Sequence, residues 1–152
     1  SYGGSPDKIV VAGASAGAYL GLMVGLDRSY LRAHGIDADR IAGIAALSGQ
    51  VITHVTVREE QGIARERPAI DRFAPLAHMR HDAPPILLVT GGRERELLAR
   101  SEENAYFHRM MKLIGHPDIR HYELEGFAHK DIEAPAHYHL RLFLERLFPE
   151  ES

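Results

Sequence analysis

The stretch Ile9 to Leu26, IVVAGASAGAYLGLMVGL, decides how the rest of the chain is read. Its first residues are β-branched and continuously apolar, the pattern of a short strand buried on both faces. The segment Ala16 to Leu26 is rich in Ala, Leu and Met and reads as a helix. Between them lies Gly13-Ala14-Ser15-Ala16-Gly17, small residues with one hydroxyl at the centre. A serine on a tight strand-to-helix turn projects its hydroxyl at the sheet edge, the G-x-S-x-G geometry of a nucleophile elbow. Gly13 and Gly17 are expected to relieve crowding on either side of that turn. The following helix aims its N-terminus at the serine, where the Ala16 N–H is placed to stabilise an oxyanion. The competing reading is an ordinary turn in which Ser15 caps the helix. A phosphate-binding loop would end in Gly-Lys-Ser/Thr, which is absent here.

Outward from this stretch, strands alternate with helices. Ile41 to Gly49 and Pro84 to Gly92 read as further buried strands, and Ile119 to Leu124 as a fourth. Ser101 to Ile114 is predicted helical with Tyr106, Met110, Leu113 and Ile114 on one face, stopped by Gly115 and Pro117. Ala134 to Phe148 closes the chain as an amphipathic helix with Leu140, Phe143, Leu144 and Leu147 on one side. The pattern predicts an α/β fold, a mostly parallel sheet flanked by helices. Residues 1–152 form one domain, with a charged, irregular, lid-like insertion at about 50–85 that is too long for an ordinary connection.

Composition narrows the function classes. The 152 residues carry a net charge of −3, with basic and acidic residues interspersed, so no global field invites nucleic acid. Cysteine is absent, which excludes disulfides, thiolate metal sites and a cysteine nucleophile. No apolar run approaches the length of a membrane span. No signal-peptide pattern is visible, but the chain begins at Ser1 rather than Met, so the compartment stays undetermined.

A serine hydroxyl needs a base to remove its proton and an acid to orient that base, in the chain order Ser, acid, His on this scaffold. "LLVTGGRERELL" places Glu94 and Glu96 just past the third strand, and "YELEGFAHKD" places His129 in a loop after the last strand. Of the ten histidines, His129 is the one in the position a base requires. Glu94 is the first choice of acid, Glu96 the alternative, and Asp131 a more distant one. His129, Asp131, His137 and His139 lack the H-E-x-x-H spacing of a metal site, so neither metal nor cofactor is expected.

With these residues assembled, the chain resembles the α/β-hydrolase superfamily. The resemblance is to its esterase/lipase branch, related to feruloyl and acetyl-xylan esterase-like, hormone-sensitive-lipase-like and kynurenine-formamidase-like enzymes. "YGGSPDKIVVAGASAGAYL" is similar to the approach to that family's elbow, "FAPLAHMRHDAPPILLVTGGRERELL" to the approach to its acid, and "ELEGFAHKD" to its histidine loop. The resemblance implies a serine hydrolase, foremost a carboxylesterase cleaving small esters through Ser15, His129 and Glu94 or Glu96. An amidase or formamidase with the same triad, or a hydrolase-like module of little activity, are the alternatives. The family acid is usually Asp, whereas only Glu residues occupy the matching loop. The family's early His-Gly-Gly oxyanion loop has no match, since Gly3 and Gly4 lie just before the elbow strand itself. The resemblance therefore covers the C-terminal half of the fold. It implies an unpaired apolar edge at Ile9, Val10 and Val11, open to homo-oligomer formation or to association with another strand.

Overall fold

The computed structural model describes residues 4–149; Gly3 lies outside the described residues. Four strands, β1 (Val10–Ala14), β2 (Gly43–Leu47), β3 (Ile86–Gly91) and β4 (Ile119–Leu124), form one sheet in the order β1-β2-β3-β4. Every pairing is parallel, with Val10 opposite Gly43, Ile44 opposite Ile86, and Ile86 opposite Ile119. Helices α1 (Ala16–Leu26) and α2 (Arg28–Arg32) follow β1, and α3 (Val55–Glu60) lies between β2 and β3. Helix α4 (Arg100–Leu113) joins β3 to β4, and α5 (Glu133–Leu147) ends the fold. The sheet is thus parallel and helix-flanked, as the alternating pattern requires.

The pleat divides the core in two, because successive side chains of a strand face opposite sides of the sheet. On one side Ile44, Ala46, Ile86 and Leu88 pack against Ala18, Leu22 and Leu26 of α1 and Phe107 and Met111 of α4. On the other, Ala45, Leu47, Leu87 and Val89 pack against Ile132 and against Ala136 and Phe143 of α5. β2 and β3 are buried along their whole length, which is why both read as unbroken apolar runs.

Helix α4 turns a different face to the sheet from the one its periodicity suggested. Phe107 and Met111 are fully buried, whereas Tyr106 and Leu113 stay largely exposed. The buried stripe runs through Ser101, Asn104, Phe107 and Met111. It carries two polar residues because the helix packs over the polar ends of β2 and β3: the Asn104 amide donates to the Gly49 carbonyl and the Ser101 hydroxyl to that of Gly91. In α5, Leu140 and Leu147 pack on the core beside Phe143, while Leu144 is exposed.

The segment from 50 to 85 is pinned into the core at both ends by Val51, Ile52, Leu76 and Ala83. Its middle is tied by one buried cation. Arg58 donates to the carbonyls of Thr53 (3.0 Å), Arg65 (2.8 Å) and Arg67 (2.5 Å), satisfying backbone groups that have no strand partner. At the opposite side, β1 pairs with β2 alone, leaving Ile9 half exposed. No helix among the described residues is long and apolar enough to cross a membrane.

Candidate active site

Ser15 stands between β1 and α1 at φ 52° and ψ −117°, a region that residues with a Cβ rarely enter. The strained corner is fastened on both sides: the Ser15 amide donates to the Leu47 carbonyl at 2.8 Å, and the Tyr19 amide to the Ser15 carbonyl at 3.1 Å. Gly13 is required by close approach, since a Cβ there would lie 2.5 Å from the Gly17 carbonyl carbon. Gly17 is not, because a Cβ there would meet nothing within 4 Å. The crowding expected on both sides of the turn exists on one. Although Ser15 holds the N-cap position of α1, its side chain makes no capping hydrogen bond. The hydroxyl is turned elsewhere.

It is turned to His129, whose Nε2 lies 3.0 Å from Ser15 Oγ. On the other side of the ring, Nδ1 lies 2.7 Å from Glu96 Oε1. Three side chains from three loops at the carboxyl end of the parallel sheet therefore meet in one line. Glu94, the acid placed first on sequence grounds, is exposed, and Glu96 occupies the position beside the ring. The reason is local. The amides of Arg95 and Glu96 both donate to the Gly92 carbonyl, so the chain makes a tight turn after β3 that brings residue 96 back beneath the sheet end. Residue 94, at the turn's outer side, faces solvent. Asp131 is exposed and donates its amide to the Ala128 carbonyl, shaping the loop that carries His129.

The Glu96 carboxylate has no solvent-exposed side-chain surface. Oε1 accepts from the Leu97 amide at 2.8 Å as well as facing His129, and Oε2 accepts from the Gly91 amide at 3.0 Å and from the Ser48 hydroxyl. Burial pushes this carboxyl up, but the donors of Ser48, Leu97, Gly91 and His129 together outweigh it and hold the group below the ordinary glutamate value. The histidine loop is bound to the acid loop through the Gly92 amide, which donates to the Phe127 carbonyl at 3.0 Å. A Cβ at Gly91 would lie 2.7 Å from that same carbonyl oxygen, so the second glycine-bearing turn is needed for the two loops to touch.

Sequence reading did not single out Ser48 or Arg100. Ser48, at the end of β2, is buried, and Arg100 at the start of α4 donates to its carbonyl at 2.7 Å. No spacing motif marks either; only the positive φ of Ser48, 53°, sets it apart, and that is invisible in sequence. A cavity of about 140 Å³ opens beside Ser15, walled among others by Ala14, Leu47, Ser48, His129 and Glu133. Ala16, the first residue of α1, leaves its N–H free of intrahelical pairing at the same corner. Of the other histidines weighed, His139 stacks on Tyr122 with ring centroids 4.1 Å apart and His137 is exposed. Among the described residues, no three metal-type ligands converge.

No protein-family model matches the chain, and no curated protein does. Solved structures do. Native esterase Est2 of the planctomycete Thermogutta terrifontis is 20% identical with a TM-score of 0.70, over 97% of this chain and 59% of that one. A truncated form of a carbohydrate esterase from gut microbiota is 14% identical with a TM-score of 0.74, over 96% of this chain and 61% of that one. The T. terrifontis esterase 2 phosphonylated by sarin gives 0.68 at 20% identity, over 93% and 58%. The chain therefore spans about three fifths of the length of the structures it matches. It has the α/β-hydrolase fold of these esterases.

Proposed function

We propose that the chain carries the catalytic centre of a serine hydrolase, a carboxylesterase acting on small esters, with Ser15, His129 and Glu96 as its triad. The reading rests on one observation: a single imidazole bridges a strained serine hydroxyl at 3.0 Å and a buried carboxylate at 2.7 Å. In the reaction Ser15 Oγ attacks the ester carbonyl as His129 Nε2 takes its proton. The Ala16 N–H stabilises the oxyanion, and Glu96 holds the imidazolium by its Nδ1–H. Collapse breaks the carbon–alkoxide bond; the alcohol leaves with the proton from Nε2, and the acyl group stays on Ser15. Water then attacks the acyl carbon, gives its proton to Nε2, and the acid departs as Ser15 recovers the proton.

The cavity of about 140 Å³ favours a short acyl group, being well below the few hundred cubic ångströms of a typical ligand pocket. Solved forms of the T. terrifontis esterase include propionate-bound and butyrate-bound states. An ester is preferred to an amide because the matched structures are those of esterases. The test is intact-mass analysis of the purified chain after a fluorophosphonate, with Ser15→Ala beside it. One adduct, lost in the variant, is the expected result. A folded chain that takes no adduct overturns the reading.

A second reading, a hydrolase-like module of little turnover that works by association, is favoured by the half-exposed Ile9 on the singly paired β1. Labelling without measurable hydrolysis of a p-nitrophenyl ester would select it.

A further inference from the structure

We infer that Ser48 is a positioning residue for the Ser15–His129–Glu96 centre, its hydroxyl closing a three-membered hydrogen-bond ring that turns the Glu96 carboxylate toward His129. The inference rests on the serine-hydrolase reading for its consequence in rate, though not for its geometry. Ser48 Oγ donates to Glu96 Oε2 and lies 2.9 Å from His129 Nδ1, which is itself 2.7 Å from Glu96 Oε1. The only proton assignment that uses all three contacts puts a hydrogen on Nδ1, shared between Glu96 Oε1 and Ser48 Oγ, and the Ser48 hydrogen on Oε2. In the neutral ring Nε2 is then the acceptor, facing Ser15 Oγ as a general base must.

The backbone around Ser48 is built to hold this hydroxyl in place. Its φ of 53° is unusual for a residue with a side chain, and two hydrogen bonds together with burial sustain it. The Ser48 amide donates to the Val89 carbonyl at 2.7 Å, the Arg100 guanidinium donates to the Ser48 carbonyl at 2.7 Å, and the side chain is buried. Glycine would fill this corner without strain, so the structure retains a costlier residue whose one distinguishing group is the hydroxyl. With that group gone, Glu96 Oε2 keeps only the Gly91 amide. The carboxylate is then held by the Leu97 and Gly91 amides alone on the side away from the ring, less tightly turned toward His129, and a leading stabiliser of its ionised form disappears.

The test compares Ser48→Gly, which removes the hydroxyl and relieves the backbone, with Ser48→Ala, which removes it and keeps the Cβ. Two readouts are taken on the folded chain: the fluorophosphonate labelling rate of Ser15, and the proton resonance of His129 Nδ1–H, assigned with His129→Gln. Both variants are expected to label roughly tenfold to a hundredfold more slowly, by analogy with the loss of an outer hydrogen-bond partner at a metal ligand. The Nδ1–H resonance is expected to move and to exchange faster with water. For p-nitrophenyl acetate, kcat falls while KM holds. Ser48→Gly labelling at the wild-type rate, or leaving the resonance in place, overturns the inference, because a backbone corner alone would then suffice. A folded wild-type chain that takes no label overturns the hydrolase reading instead, and the resonance by itself then decides the part played by Ser48.

Discussion

Ser15 and Ser48 occupy equivalent corners at the carboxyl ends of adjacent parallel strands, with φ of 52° and 53°. Each donates its amide one strand further along the sheet, Ser15 to the Leu47 carbonyl and Ser48 to that of Val89. Each also brings its hydroxyl to the His129 ring, Ser15 at Nε2 and Ser48 at Nδ1. The imidazole is thus held between two strained serines, and the parallel register that aligns the strand ends is what aligns the site.

The contrast between Gly13 and Gly17 gives a stability test. Gly13→Ala forces a Cβ against the Gly17 backbone at 2.5 Å and is expected to destabilise the fold by about 2–3 kcal/mol. Gly17→Ala meets open space within α1 and is expected to be neutral or to stabilise by roughly 0.5–1 kcal/mol. Urea unfolding of the two variants checks both signs, and equal losses would count against the asymmetry.

The acid is tested by paired substitutions. Glu96→Gln leaves the shape but cannot hold an imidazolium, so the Ser15 labelling rate and kcat should fall by about 10³–10⁴. Glu94→Gln, at an exposed position, should stay within about twofold of wild type. Reversal of the two results would return the role to Glu94.

His121 predicts a pH dependence of stability. Burial, then the neighbouring His108, push its pKa down from 6.5 to about 4, only partly opposed by Glu123. The folded state therefore holds the neutral ring, with Nε2 3.1 Å from Thr90 Oγ1. A depressed folded pKa means that the contribution is complete above about pH 6.5 and is lost as pH falls toward 4, up to about 3 kcal/mol. His121→Gln should flatten the stability profile over that window. Thermal melts between pH 4 and 8 measure it, and an unchanged slope would contradict the assignment.

The open edge of β1 is proposed to associate. Ile9 is half exposed beside an apolar cavity of about 360 Å³ lined by Val11, Val24, Leu31 and Ile36. Sedimentation velocity should show concentration-dependent association of the chain, weakened by Ile9→Lys, which puts a charge on the edge. A monomer at all concentrations would remove the proposal.

What the sequence determined by itself was local. The β-branched run, the small-residue turn and the helix behind it lie within Ile9 to Leu26, so the elbow follows from neighbours along the chain. The four strands and the helices α1, α4 and α5 were legible for the same reason, and β4 was read with its observed bounds, whereas the short helices α2 and α3 lie in stretches that read as a polar connection and an irregular insertion. Tertiary structure decided what depends on direction rather than order. Glu94 and Glu96 are two positions apart in one loop, and only the turn closed on the Gly92 carbonyl buries the second and exposes the first. The inward face of α4 was set by the polar ends of the strands it covers, which attract Ser101 and Asn104 where periodicity favoured Tyr106 and Leu113. Ser48 carries no motif, and its part in the site exists only because parallel pairing sets its strand end beside those of Ser15 and Glu96. Hydrogen bonding between loops distant in sequence is a property of the packed sheet, and no local pattern encodes it.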